Sequence, residues 1–167
     1  KKHFDDILKC VRVFLSNSGT ESIEAAIKLT RYHNRRKVMA SFHGSFHGRT
    51  MGSLSLTASK AVYRDGFEPF LPAVHLPYAN PYRCPMGAEP DNCVDACLSY
   101  IENTIFRKEI NPDEICALFM EPVQGEGGYV VPEKEFMKAI EKICKQNGIL
   151  LVDDDEVTFE MSQKQTI

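Results

Sequence analysis

Two continuously apolar stretches, Ile115-Cys116-Ala117-Leu118-Phe119-Met120 and Ile149-Leu150-Leu151-Val152, flank a segment with helical periodicity. A strand apolar at every position needs cover on both faces. Between the two, Glu133 to Gln146 places Phe136, Met137, Ile140, Ile143 and Cys144 on one helix face, and Asn147-Gly148 caps its end. Strand, crossover helix and strand within about 40 residues predict a right-handed βαβ unit with parallel strands. The same alternation recurs upstream. Glu21 to about Asn34 reads as a helix with Ile23, Ala26, Ile27 and Tyr32 near one face and a Glu24–Lys28 charge pair, ended by Arg35-Arg36-Lys37. Val38–Phe42 reads as a strand, and Asp91 to Phe106 as a helix with Val94, Cys97, Leu98, Ile101 and Ile105 inward. Residues 64–90 carry Pro69, Pro72, Pro77, Pro81, Pro85 and Pro90, so they are extended loop with one strand at Val74-His75-Leu76. The alternation predicts an α/β fold.

Composition excludes several classes. Apolar residues at 43% and charged residues at 26% are globular values, not those of a disordered chain. Lys+Arg 20 against Asp+Glu 23 gives a net charge of −3, so there is no basic field for nucleic acid or anionic lipid. No apolar run reaches the roughly 18 residues a membrane helix needs. The start, Lys1-Lys2-His3-Phe4-Asp5-Asp6, is neither a signal peptide nor a Met start, which predicts a piece of a longer, cytoplasmic protein. Of the cysteines at 10, 84, 93, 97, 116 and 144, Cys116 and Cys144 read as small buried hydrophobes. Cys84, Cys93 and Cys97 alone point towards a metal. Their spacing fits no zinc template, so reduced thiols and no metal are expected.

Both strands of the βαβ unit run into acid, the first at Glu121 and the second at Asp153-Asp154-Asp155-Glu156. Ligands of open α/β sheets bind at the carboxyl ends of strands, so these acids point into one crevice, although acids there are also ordinary turn residues. Glu121 opens Glu-Pro-Val-Gln-Gly-Glu-Gly-Gly, a loop whose backbone can come close to a ligand. Ser16-Asn17-Ser18-Gly19-Thr20-Glu21 precedes the first helix and makes an anion site of its free N–H groups; Ser18 or Thr20 as a plain N-cap explains it equally. His43-Gly-Ser-Phe-His-Gly-Arg-Thr50 sets an aromatic that can stack on a flat heterocycle beside an arginine that can grip a carboxylate.

In order and spacing, Ser16 to Glu21 with Glu24-Ala25-Ala26, Phe46-His47-Gly48-Arg49-Thr50, Glu121 to Gly128 and Gly148 to Val152 resemble class III pyridoxal-phosphate aminotransferases, closest in look to the 4-aminobutyrate enzymes. The resemblance implies a three-layer, mostly parallel sheet, part of the large domain of a fold type I pyridoxal-phosphate-dependent transferase. Residues 1–157 would be that partial domain, and 158–167 a non-matching tail. It implies an omega-amino acid and 2-oxoglutarate as substrates and a homodimeric parent. Residue by residue, Ser18, Gly19 and Thr20 match the phosphate cradle, Phe46 the aromatic stacked on the cofactor ring, and His47 follows in the same loop. Arg49 matches the residue that holds a substrate's distal carboxylate. Glu121 matches an acid near the cofactor, and Glu126 the acid that pairs with a switchable arginine. Val157 matches the residue beneath the ring.

Two departures follow. Six residues on from Gly148 is Asp154, yet the Asp-Glu-Val triplet of the family begins at Asp155. Choosing Asp154 puts Glu156 beneath the ring, so Asp155 is expected as the partner of the pyridine nitrogen, with a bulge absorbing the extra residue. Beyond Val157 the pattern stops, and no lysine stands in the context of the Schiff-base lysine. The isolated chain is therefore expected to be inactive. A racemase or aminomutase on the same scaffold, or a non-catalytic remnant, are the rival readings.

Overall fold

The computed structural model describes residues 12–68 and 70–154. Helix α1 spans Gly19–Asn34, strand β1 Val38–Phe42, helix α2 Met51–Leu56 and strand β2 Ala73–Leu76. Helix α3, Cys93–Tyr100, runs on through Ile101–Glu109 as a wider helix with i→i+5 bonding, closed by Ile110 N–H to Ile105 O at 3.0 Å. Strand β3 spans Ile115–Met120, helix α4 Lys134–Asn147 and strand β4 Leu150–Asp153. The sheet order is β2-β1-β3-β4, with every neighbouring pair parallel. The β3–α4–β4 unit is thus a parallel βαβ unit.

The sheet is covered on both sides, which is why β3 is buried at all six positions. On one face Ala40, Phe42, Leu118 and Met120 pack with Ile101 and Ile105 of the α3 extension and Phe136 and Ile140 of α4. On the other, Met39, Cys116, Ala117 and Phe119 pack with Ile23 and Ile27 of α1 and Leu56 of α2. Alternation along the strands deals side chains to the two layers, except at Cys116-Ala117, where the register of β3 against β1 shifts by one residue and both neighbours fall in one layer. Phe42, Tyr78 and Phe136 meet edge to face, with centroids 5.2–5.9 Å apart.

Two local expectations change. Tyr32 is 68% exposed, its ring under the Arg35 guanidinium, and Thr30 takes the third inward position of α1. Glu24 turns away from Lys28: its Oε1 accepts the N–H groups of Gly52 and Ser53 at 2.9 and 3.0 Å and the Thr50 hydroxyl, capping α2. Three donors of a helix start outbid one exposed i,i+4 pair.

Candidate functional site

The site is built where β1, β3 and β4 end and α1 begins. Ser18 is the N-cap of α1, its hydroxyl accepting the Glu21 N–H at 3.4 Å, so the helix starts at Gly19. The first N–H groups of a helix lack intrahelical partners, and those of Gly19 and Thr20 stand at a positive dipole end. The loop after β1 folds against this start. Gly48 has φ +119°, and a Cβ there would lie 2.3 Å from Thr20 Oγ1, so glycine alone lets the loop come this close. Thr57 holds the loop from behind: its hydroxyl donates to Gly48 O at 2.9 Å and accepts the His47 N–H at 3.0 Å.

At the far side, β4 delivers Asp154. The β3–β4 ladder runs without interruption from Ala117↔Leu150 to Met120↔Asp153, and the Asp154 N–H continues it to Met120 O at 2.9 Å. The bulge expected before Asp155 is therefore absent from this ladder. Asp154 Oδ2 lies 2.7 Å from His47 Nδ1, with side-chain exposures of 13% and 0%. The carboxylate oxygen can only accept, so Nδ1 carries the hydrogen and donates. His47 Nε2 is buried without a partner.

A cavity of about 380 Å³ joins these parts, lined by Ser18, Gly19 and Thr20 on one side, Asp154 and His47 on another, and Phe46 and Arg49 between. Phe46 meets Tyr63 edge to face at 5.6 Å. Arg49 is exposed at the mouth. Asp155 and Val157 lie outside the described residues.

Glu121 is buried behind the cavity at the end of β3. Burial pushes its carboxyl up to about 8, the Asp154 charge adds to this, and the N–H groups of Phe46 and Gly125 offset only part. Its Oε2 has no hydrogen-bond partner. Glu126 stands outside the cavity, 2.7 Å from Lys60 Nζ. The Lys60 ammonium holds its carboxyl below the usual range.

Three positioning residues escaped the sequence reading: Glu24, Thr57 and Gln124. Gln124 donates from Nε2 to His43 O at 2.9 Å, and its side chain fills the space that a Cβ at Gly44 or Gly127 would need. The available signal was the run Ser53-Leu54-Ser55-Leu56-Thr57, five consecutive buried residues with three hydroxyls. Buried hydroxyls must find partners: Thr57 finds them in the loop, Ser53 at Thr20 and Thr50, and Ser55 at Met51 O and the Leu71 N–H.

The parallel sheet brings a helix start, an aromatic ring and a histidine-backed acid to one cavity, a set of groups that suits a flat, anionic, nitrogen-bearing ring. The donor set fits pyridoxal phosphate: a cradle at Gly19 and Thr20 for the anion, and Asp154 for a ring nitrogen. The sequence pattern of class III aminotransferases matches residues 2–160, and the chain belongs to this pyridoxal-phosphate-dependent family. It is 37% identical to an alanine/serine racemase of Pyrococcus horikoshii, over 88% of this chain and 32% of that protein. It is 37% identical to a probable 4-aminobutyrate aminotransferase of Bacillus subtilis, over 86% of this chain and 33% of that protein. With a mitochondrial acetylornithine aminotransferase of Alnus glutinosa the identity is 42%, over 86% and 29%. Among solved structures, an amine transaminase from an uncultivated Pseudomonas species, with pyridoxal phosphate bound, superposes with a TM-score of 0.81 at 27% identity, covering 94% of this chain and 37% of that one. The chain spans about a third of the length of the curated relatives it matches.

Proposed function

We propose that the cavity between Gly19 and Asp154 holds pyridoxal phosphate, and that the protein these residues serve moves an amino group from an omega-amino acid of the 4-aminobutyrate kind to 2-oxoglutarate, as a homodimer. The observation that carries this reading is the single cavity joining the α1 start, Phe46 and the His47–Asp154 pair. Once bound, the cofactor supplies an electron sink for the charge left when a substrate C–H bond breaks. Gly19 and Thr20 bind its phosphate through backbone N–H groups. Phe46 lies along its ring. Asp154, rather than Asp155, holds the proton on the pyridine nitrogen, and His47 fixes the orientation of that carboxylate while its bulk keeps water out. Glu121, neutral near pH 7, sets no second negative charge beside Asp154. Arg49 at the mouth takes a substrate carboxylate, and Glu126 leaves Lys60 to meet a substrate-binding arginine.

The described residues that line this cavity include no lysine, and in this reading the chain by itself binds the cofactor non-covalently and does not transaminate. Titration of the 167-residue chain with pyridoxal phosphate should give a saturable induced circular-dichroism band. Pyridoxal without phosphate should bind far more weakly, and Asp154→Asn should abolish the band. A stoichiometric adduct at one lysine after borohydride reduction, or a band indifferent to Asp154→Asn, would remove the proposal.

The equal identity to an alanine/serine racemase and to an aminotransferase supports one second reading, racemisation on the same scaffold. In a full-length parent, a racemase exchanges the α-proton of alanine in deuterated water with no oxo acid present and leaves 4-aminobutyrate untouched. An aminotransferase consumes 2-oxoglutarate.

A further inference from the structure

Cys84, Cys93 and Cys97 belong to no part of the site described above. Cys84 sits in the loop after the Pro81–Arg83 turn, and Cys93 and Cys97 sit one helical turn apart on α3. Their three sulfur atoms all lie within 4.8 Å of one another. Cys93 and Cys97 are wholly buried and Cys84 half-buried. The backbone N–H groups of Met86 and Ala88 lie near the Cys84 sulfur, and that of Asn80 near the Cys93 sulfur. Gly87, at φ +68°, closes this turn with its N–H on Cys84 O at 3.0 Å. A sulfur bound to a cation is stabilised by backbone N–H groups near it. Cys116 and Cys144, also buried, lie apart from the cluster and pack as apolar groups.

We propose that Cys84, Cys93 and Cys97 form a binding site for a thiophilic d10 cation, zinc(II), with three sulfur ligands and a fourth position open to water on the Cys84 side. Cysteines four apart on a helix present their sulfurs on one face, and the Cys84 turn brings the third over them. A zinc–sulfur bond of about 2.3 Å sets tetrahedral sulfurs about 3.8 Å apart, so rotamer adjustments of about 1 Å close the site. Binding releases the thiol protons to solvent, and the three N–H donors offset part of the remaining negative charge. A disulfide would need an oxidant and would leave one of three adjacent thiols over. A cation engages all three and needs none.

The test uses the 167-residue chain, reduced and stripped with a chelator under nitrogen, then titrated with zinc against a chromophoric competitor and separately with cobalt(II). The proposal expects one ion per chain and a cobalt–sulfur charge-transfer band. Cys84→Ser and Cys97→Ser should weaken zinc binding on the order of 100-fold or more, while Cys144→Ser leaves it unchanged. Because a variant can lose its fold, alkylation of the unaltered chain is mapped by mass spectrometry with and without zinc. Cys84 should be protected by zinc. No uptake by the reduced chain, a cobalt spectrum without the sulfur band, affinity unchanged in both cluster variants, or Cys84 alkylated equally with and without zinc would each overturn it. A fresh preparation found only as a Cys84–Cys93 disulfide, taking up no zinc after reduction, would do the same.

Discussion

Replacing Glu121 by glutamine should make the chain more stable in mild alkali, an effect opposite to that of most changes at a buried polar residue. An acid that titrates near 4.5 in the unfolded chain and near 8 in the fold binds more protons when folded across that interval. Stability therefore falls as pH rises through it, and is flat again above 8. At full strength the shift corresponds to about 5 kcal/mol, of which about 2 kcal/mol is lost between about pH 6.5 and pH 8.5. The difference between the two proteins isolates Glu121: burial holds His75 near 4, so its contribution changes only below the unfolded histidine range, and the Cys97 and Cys144 thiols, pushed up by burial, lower stability towards pH 8.5 alike in both proteins. Glutamine copies the protonated carboxyl: its oxygen accepts from Phe46 and Gly125, and its amide takes the unpartnered Oε2 position. Urea unfolding followed by circular dichroism reads the effect. The unaltered chain should lose about 1 M in its midpoint between the two pH values, and Glu121→Gln much less. Parallel losses in the two proteins, or a variant less stable at the higher pH, would refute a neutral Glu121.

Other changes have separate readouts. Gly48→Ala should cost about 2–4 kcal/mol in thermal melts, since its backbone disfavours a side chain and the new Cβ meets Thr20. Gly66→Ala, at φ +79° in open space, should cost only about 1 kcal/mol; equal losses would show that the contact with α1 does not matter. Glu24→Ala should cost about 1–3 kcal/mol and speed amide exchange at Gly52 and Ser53, and unchanged exchange there would remove Glu24 as the cap. In a full-length parent, Arg49→Ala should raise KM for a carboxylate substrate, a loss of about 2–3 kcal/mol in kcat/KM if the pair is buried there. Unchanged kinetics on 4-aminobutyrate would take Arg49 out of the site.

Local pattern determined most of the secondary structure, where an element's own apolar spacing is unambiguous; the six-residue helix Met51–Leu56, too short to show a period, was not read from it. Val38–Phe42 and Ile115–Met120 are strands in the structure at the residues the sequence assigns, and the α4 face of Phe136, Ile140, Ile143 and Cys144 is buried as its spacing requires. The acids at the carboxyl edge were legible for the same reason: strand ends announce themselves, and parallel order follows from a crossover helix. What the sequence could not decide were choices between partners distant in the chain. His47 and Asp154 are 107 residues apart, and their contact depends on β1 and β4 flanking β3; the count from Gly148 and the Asp-Glu-Val triplet pointed to different acids, and the register of β4 puts Asp154 in the cavity. Glu24 had a local partner in Lys28 and took a helix start 26 to 29 residues away instead. Cys84, Cys93 and Cys97 fit no linear metal motif, and only the turn that folds Cys84 onto α3 makes them neighbours. Periodicity is a property of one segment, while a site is a meeting of several, and the energy that selects it is counted only after the sheet has brought them together.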